Sequence, residues 1–283
     1  MSVQVTLGEG GTPLLHAPRL SERFGVDLWL KWEGANPTGS FKDRGMAVAV
    51  TRAVEDGAHT LVCASTGNTA ASCAAYAARA GLRAVIVVAK GAAAGPKLLQ
   101  VQAVGGEIVE VDGSFSDAFA HAEDLGSRAG HAIVNSTNPH RIEGQKTAAF
   151  EILERLGGPP DVLTLPYGGG GNTRAYALGF GDRLPRFHPV QVADRAHTVA
   201  SAIRIVEPVH AAELADVVEQ SGGSVVTVDD DAIVAARRLL GRQEGLFCEP
   251  ASAAGIAGLA QGSARPGERV VCVVTGHGLK DPA

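Results

Sequence analysis

The chain has 283 residues, 45% hydrophobic and 19% charged, which is enough apolar material for a sizeable core and excludes a disordered segment. With 30 acidic against 25 basic residues the net charge is -5, and no basic run follows a phosphate backbone, so nucleic acid is not an expected partner. Glycine is the anomaly, with 36 residues or about 13% against a usual value near 7%, and no Gly-X-Y period makes it collagen-like.

The first eleven residues carry neither a charged leader nor an apolar stretch, and no apolar run is long enough to span a bilayer. A cytoplasmic location and no membrane partner are expected. The four cysteines (Cys63, Cys73, Cys248, Cys272) lack CxxC spacing and sit in apolar surroundings, so they read as buried free thiols. The nine histidines show no metal-ligand spacing, and no metal site is expected.

In chain order, β-branched runs alternate with alanine-rich helical stretches, the signature of crossover units around a mostly parallel sheet. Residues 61–63, 84–88, 107–111 and 131–134 read as strands. Helices are expected at 69–80, 97–104 and about 116–128, the last capped by Ser114 or Ser116. A second set follows: a helix over 144–156, a strand over 161–165, and a helix opened by the glycines that start at 168. Beyond these lie a strand over 224–228, a helix capped near Asp230 and running to Leu240, a small-residue helix after Glu249-Pro250, and a strand over 269–274. The expected fold is α/β with two lobes, each a mostly parallel sheet flanked by helices. The small lobe, 46–141, is inserted into a large one made of 1–45 and 142–283.

Three stretches carry chemistry. In Asn36-Pro37-Thr38-Gly39-Ser40-Phe41-Lys42-Asp43-Arg44-Gly45, turn formers lead to a lysine at the start of a helix, whose positive end favours the neutral amine needed for nucleophilic chemistry. The plain alternative is a surface lysine after a loop. Ala64-Ser65-Thr66-Gly67-Asn68-Thr69 places hydroxyls, an amide and backbone N–H groups between a strand and a helix, an arrangement suited to a carboxylate. A simple helix cap would explain one of those residues. Gly168-Gly169-Gly170-Gly171-Asn172 again follows a strand and opens a helix, so that successive amides can wrap a phosphate. It has neither the lysine of a nucleotide P-loop nor GxGxxG spacing.

Together with Glu249-Pro250-Ala251-Ser252, Asn135-Ser136, Asn138-Pro139-His140-Arg141-Ile142-Glu143-Gly144 and Thr275-Gly276-His277-Gly278-Leu279-Lys280-Asp281, these stretches resemble the pyridoxal-phosphate enzymes of fold type II, the tryptophan-synthase-β type, and within them the threonine synthases. The resemblance covers nearly the whole chain. It implies that Lys42 holds pyridoxal 5'-phosphate covalently and is the catalytic residue, and that Asn68 bonds the pyridoxal 3'-oxygen. It further implies that Gly168, Gly169, Gly170, Gly171 and Asn172 cradle the cofactor phosphate and that Thr275 faces the pyridine nitrogen. Ser65, Thr66 and Thr69 would grip the substrate carboxylate. Asn135, Ser136 and Arg141 would receive the phosphate of O-phospho-L-homoserine, the plain alternative there being a capped helix start with a surface arginine.

The activity implied is conversion of O-phospho-L-homoserine and water to L-threonine and phosphate by γ-elimination and β-addition. The partner is then a small phosphorylated amino acid, and a homodimer is an assembly the resemblance allows. Some positions depart from the family. Gly169-Gly170 stand where Asn-Ala is frequent, as in the dehydratases, and the segment after Gln191 is shorter than usual and places Asp194 and Arg195 near the substrate mouth. The alternative reading is therefore a related β/γ-eliminating or replacing enzyme, such as a threonine or serine dehydratase, acting on another amino acid.

Overall fold

The computed structural model describes residues 4–91 and 96–281. Its strands are β1 (Leu14–His16), β2 (Asp27–Trp32), β3 (Thr60–Ala64), β4 (Arg83–Ala89), β5 (Glu107–Val111), β6 (His131–Ile133), β7 (Val162–Pro166), β8 (Arg186–Val192), β9 (Val226–Val228) and β10 (Arg269–Val274). Its helices are α1 (Pro18–Phe24), α2 (Lys42–Glu55), α3 (Asn68–Ala80), α4 (Pro96–Ala103), α5 (Phe115–Gly126), α6 (Pro139–Gln145), α7 (Thr147–Leu156), α8 (Gly171–Phe180), α9 (Ala211–Ser221), α10 (Asp230–Glu244) and α11 (Ala254–Ala260). No helix among the described residues is long and apolar enough to cross a membrane.

The chain divides into two compact units. One takes in Met1–Glu9 and Lys42–Gln145, the other Gly10–Phe41 and Lys146–Ala283. These limits differ from the expected 45/46 and 141/142 because α2 begins at Lys42 and α6 runs through Gln145, and these two helices pack on each other. The first residues also join this unit, through the Val5 N–H bonded to Thr51 Oγ1 at 3.0 Å and the Tyr76 hydroxyl bonded to Glu9 at 2.7 Å.

In the first unit the sheet order is β5-β4-β3-β6, parallel throughout. Side chains alternate across it with period two. Leu61, Cys63, Ile86 and Val88 pack with Met46, Val50 and Tyr76 on one face, while Val62, Ala64, Val85 and Val87 pack with Ala118 and Ala122 of α5 on the other. Burial on both faces is why these strands read as unbroken apolar runs. Each fully buried Val, Leu or Ile contributes about 1.5–3 kcal/mol of transfer free energy. Helix α5 is capped by Ser114 in a reciprocal pair with Asp117, which decides between the two expected caps.

The second unit holds the order β1-β2-β10-β7-β8-β9, antiparallel at β1 and parallel elsewhere. Val270, Cys272 and Val274 of β10 face one core cluster and Val271 and Val273 another. The single helix expected over 144–156 is two, α6 and α7. At the break the Ala149 N–H bonds to the Lys146 carbonyl three residues back, a tightened turn that interrupts the α ladder.

Candidate active site

In a parallel sheet the loops that leave the carboxyl ends of neighbouring strands lie side by side. In the first unit β3 and β6 are neighbours, so Ser65–Gly67 and Val134–Ser136 share one edge. Asn135 joins them: its Oδ1 accepts the Ala64 N–H and its Nδ2 donates to the Ala64 carbonyl, both at 2.9 Å. The amide thus prolongs the ladder as a strand partner would, and one Nδ2 hydrogen is left to offer a ligand. Ser65 Oγ accepts the Gly67 N–H at 3.0 Å, while α3 starts with no side-chain cap and no acidic residue in its first turn. Asn68, buried, and Thr69 open that helix.

Helix α6 starts at Pro139, and Asn138 Oδ1 accepts the His140 N–H at 3.0 Å, so the capped start is present. Arg141, however, is not on the surface. Its side chain is 0% exposed; Nη1 donates to the Val134 carbonyl at 2.9 Å, and Nε and Nη2 meet no partner. Burial pulls its pKa below the ordinary value, opposed by Cys63, Cys73 and Asp43 nearby. A guanidinium in this state is costly to the fold and calls for an anion.

Lys42 is the first residue of α2. The following Asp43 is fully buried and accepts the Ser72 hydroxyl at 2.6 Å, which pins the start of α2 to α3. Helices α2 and α6 meet at backbone distance: a Cβ on Gly45 would lie 2.5 Å from the Arg141 carbonyl, and one on Gly144 would lie 2.0 Å from that of Arg44. Glycine at both positions is what allows the helix carrying Arg141 to lie against the helix that Lys42 begins.

In the second unit β7 and β10 are neighbours, so the glycine run and Thr275 leave the same edge. Gly170 has φ +87°, and a Cβ there would come within 2.7 Å of the His210 carbonyl. Three of the run's four carbonyls have partners: Gly168 accepts from Arg195 Nη1 at 3.3 Å, Gly169 from the His210 N–H at 2.9 Å, and Gly170 from the Arg174 N–H at 3.2 Å. Among the described residues, none of the N–H groups of 168–173 meets an acceptor. Asn172 Nδ2 and Thr173 Oγ1 are also buried without partners, and the first turn of α8 holds no acidic residue. Such a set of donors at a helix start fits a phosphate group.

Thr275, also buried, has its Oγ1 2.9 Å from Ser252 Oγ, which in turn accepts the Gly276 N–H at 2.7 Å. The two residues before Lys42 are tied to the same place, Phe41 N–H to the Thr275 carbonyl at 3.0 Å and Ser40 by a bridge to Gly276. The expected residues therefore fall into two groups: Lys42, Ser65, Thr66, Asn68, Thr69, Asn135, Ser136 and Arg141 in the first unit, and Gly168 to Asn172 with Thr275 in the second. The sequence assigns no role to Ser252, to Asp43, or to Ser40, whose buried Oγ meets no partner. Ser252 and Asp43 stand inside the quoted motifs, but their partners are distant in sequence. Arg195, expected near the substrate mouth, has its side chain bonded to Gly168.

These features define an enzyme that uses a phosphorylated cofactor. The sequence profile of the family described as "PALP: Pyridoxal-phosphate dependent enzyme" matches residues 5–276, and the chain belongs to this family. It is 46% identical over 300 residues to the threonine synthase of Halalkalibacterium halodurans (strain C-125), covering 98% of this chain and 85% of that protein. To the threonine synthase of Mycobacterium tuberculosis (strain H37Rv) it is 47% identical over 302 residues, covering 98% and 84%. Among solved structures, a threonine deaminase from T.th. superposes with a TM-score of 0.83 at 25% identity, covering 97% of this chain and 94% of that one.

Proposed function

We propose that this chain converts O-phospho-L-homoserine and water to L-threonine and phosphate. The observation that carries the reading is Arg141, a fully buried guanidinium with two unpartnered donor atoms, in a chain whose relatives at 46–47% identity are threonine synthases. A phosphate dianion on the substrate would meet those donors with charge-assisted hydrogen bonds.

Pyridoxal phosphate would be held by Lys42, Asn68, Thr275 and the donors of 168–172, making Gly10–Phe41 with Lys146–Ala283 the main cofactor-binding domain. When bound, that group supplies an electron sink for negative charge developing next to the substrate amine. Lys42 Nζ would take the proton from Cα and then move protons at Cβ and Cγ. Arg141, with Ser136 and the remaining Nδ2 hydrogen of Asn135, holds the phosphate as its bond to Cγ breaks. Ser65, Thr66 and Thr69 hold the carboxylate and so fix Cα for proton removal. Water then adds its oxygen at Cβ.

Ser252 is the partner that orients the Thr275 hydroxyl. Its Oγ accepts from the Gly276 N–H at 2.7 Å, lies 2.9 Å from Thr275 Oγ1 in a hydrogen bond that either hydroxyl can donate, and reaches the Gly276 carbonyl at 3.3 Å. With Ser252 as the donor of that bond, Thr275 would keep its own proton to offer a ring nitrogen.

Incubation with O-phospho-L-homoserine and mass analysis of the products tests the reading. Threonine and inorganic phosphate in equal amounts are expected, and Lys42→Ala should abolish both. Release of ammonia and a 2-oxo acid from threonine or serine, with no reaction of the phosphorylated substrate, would establish the dehydratase alternative that the tetraglycine run favours.

A further inference from the structure

A run of four glycines gains its shape only if something outside it fixes the backbone, because glycine loses more conformational freedom on ordering than any other residue. His210 and Arg174 hold two of the run's carbonyls through their backbone N–H groups. The third, that of Gly168, is held by a side chain. Arg195 Nη1 donates to Gly168 at 3.3 Å and to the Ile205 carbonyl at 2.9 Å, and Nη2 donates to Gln191 Oε1 at 2.9 Å. The guanidinium carbon lies 4.4 Å from the centre of the Tyr167 ring, the residue just before the run.

Asp194 sets this up. Its Oδ1 accepts the Ala196 and His197 N–H groups at 2.9 and 3.2 Å, closing a turn that sends its neighbour's side chain the other way. All three hydrogen-bond acceptors of Arg195 are neutral oxygens. The cation therefore stands beside the run with no carboxylate bonded to it, and the positive field reaches the free amides of 168–173.

We propose that Arg195 is a positioning residue for the cofactor phosphate: by clamping the Gly168 carbonyl and stacking on Tyr167 it turns the amides of the run toward the anion. The short segment after Gln191 thereby acquires a task, as the outer wall of the cradle. The inference rests on the assignment of the run to the cofactor phosphate.

The test compares pyridoxal phosphate with pyridoxal, which lacks the phosphate, in absorbance titrations of the cofactor-free protein. Arg195→Ala should weaken pyridoxal phosphate by about ten- to a hundredfold, the worth of one charged hydrogen bond, and leave pyridoxal unchanged. Arg195→Lys keeps the charge without the fork or the flat stack and should recover only part of the loss. If the alanine variant does not fold, the lysine variant decides by the same ratio. Equal loss for both ligands, or no loss for either, would overturn the role of Arg195 while leaving the cofactor assignment intact. A wild-type protein that takes up no pyridoxal phosphate would overturn the assignment itself.

Discussion

On the proposed assignment, the two units answer the same chemical problem, holding a phosphate, in opposite ways. The first offers one concentrated charge, the Arg141 guanidinium, removed from water and only part-bonded. The second offers a series of neutral backbone donors, half of them at the partly exposed Gly169, Gly171 and Asn172. A lone buried charge is a burden of several kcal/mol until an anion arrives, whereas unpaired amides at a helix start burden the fold far less. The difference would suit the two ligands proposed for them. A leaving group needs strong stabilisation for a moment, and a resident cofactor needs a site that keeps its shape through many turnovers.

The sharpest test of this contrast is Arg141→Met. Loss of the charge is expected to lower kcat/KM for O-phospho-L-homoserine by about 10²–10³. Because the buried charge goes too, the substrate-free protein should gain about 1–4 kcal/mol in urea unfolding, with affinity for pyridoxal phosphate unchanged. A less stable variant would show that the guanidinium is satisfied in the fold and that the contrast is wrong.

Gly170→Ala attacks the other site. With φ at +87° and the His210 carbonyl 2.7 Å from the new Cβ, about 1–3 kcal/mol of strain falls on the cradle. Weaker retention of pyridoxal phosphate on dialysis is expected, with the stabilisation of the protein by substrate still dependent on Arg141. A smaller change follows from Ser252→Ala, which frees the Thr275 hydroxyl at a cost of about 1 kcal/mol, or roughly fivefold in kcat. The pH dependence of the cofactor's visible band should move while the substrate KM stays constant, and an unmoved band would leave Ser252 with a packing role alone.

The last test concerns stability alone and rests on two buried thiols of the second unit. Burial pushes the Cys248 thiol from 9.0 up to about 12, and Cys272 is pushed up by burial as well. Well below pH 9 both are protonated whether the chain is folded or not. As the pH rises further the unfolded chain sheds these protons first, so stability should fall with pH between about 9 and 12. Urea midpoints at pH 8 and pH 10 measure it; equal midpoints would mean that the folded thiols titrate normally.

Much of this is legible in the sequence because it is local. Strand 107–111 coincides with β5, and the glycine run at the start of α8 announces itself by composition. Strand β8 escapes such a reading: Pro189 stands in the middle of it, and proline argues against a strand interior. Helix α9 escapes it too, since no expectation covers 211–221. The burial of Arg141 cannot be read from its neighbours in sequence, because a polar helix start looks the same inside and outside. Pairings such as Asn135 with Ala64, 71 positions apart, or Ser252 with Thr275, 23 apart, exist only once the sheets are assembled.

With Lys42 and Arg141 in the roles proposed, the backbone contact of α2 with α6 would set a gauge for substrate length. Lys42 begins one helix and Arg141 lies on the other, and with Gly45 and Gly144 at their crossing neither helix can slide without a clash. Packed interiors yield little to compression, so the proposed proton-moving and phosphate-holding ends would behave as two fixed jaws. A chain with one carbon fewer between Cα and phosphate would reach one jaw or the other. Selectivity among phosphorylated amino acids would then be written into two residues that have no side chain at all.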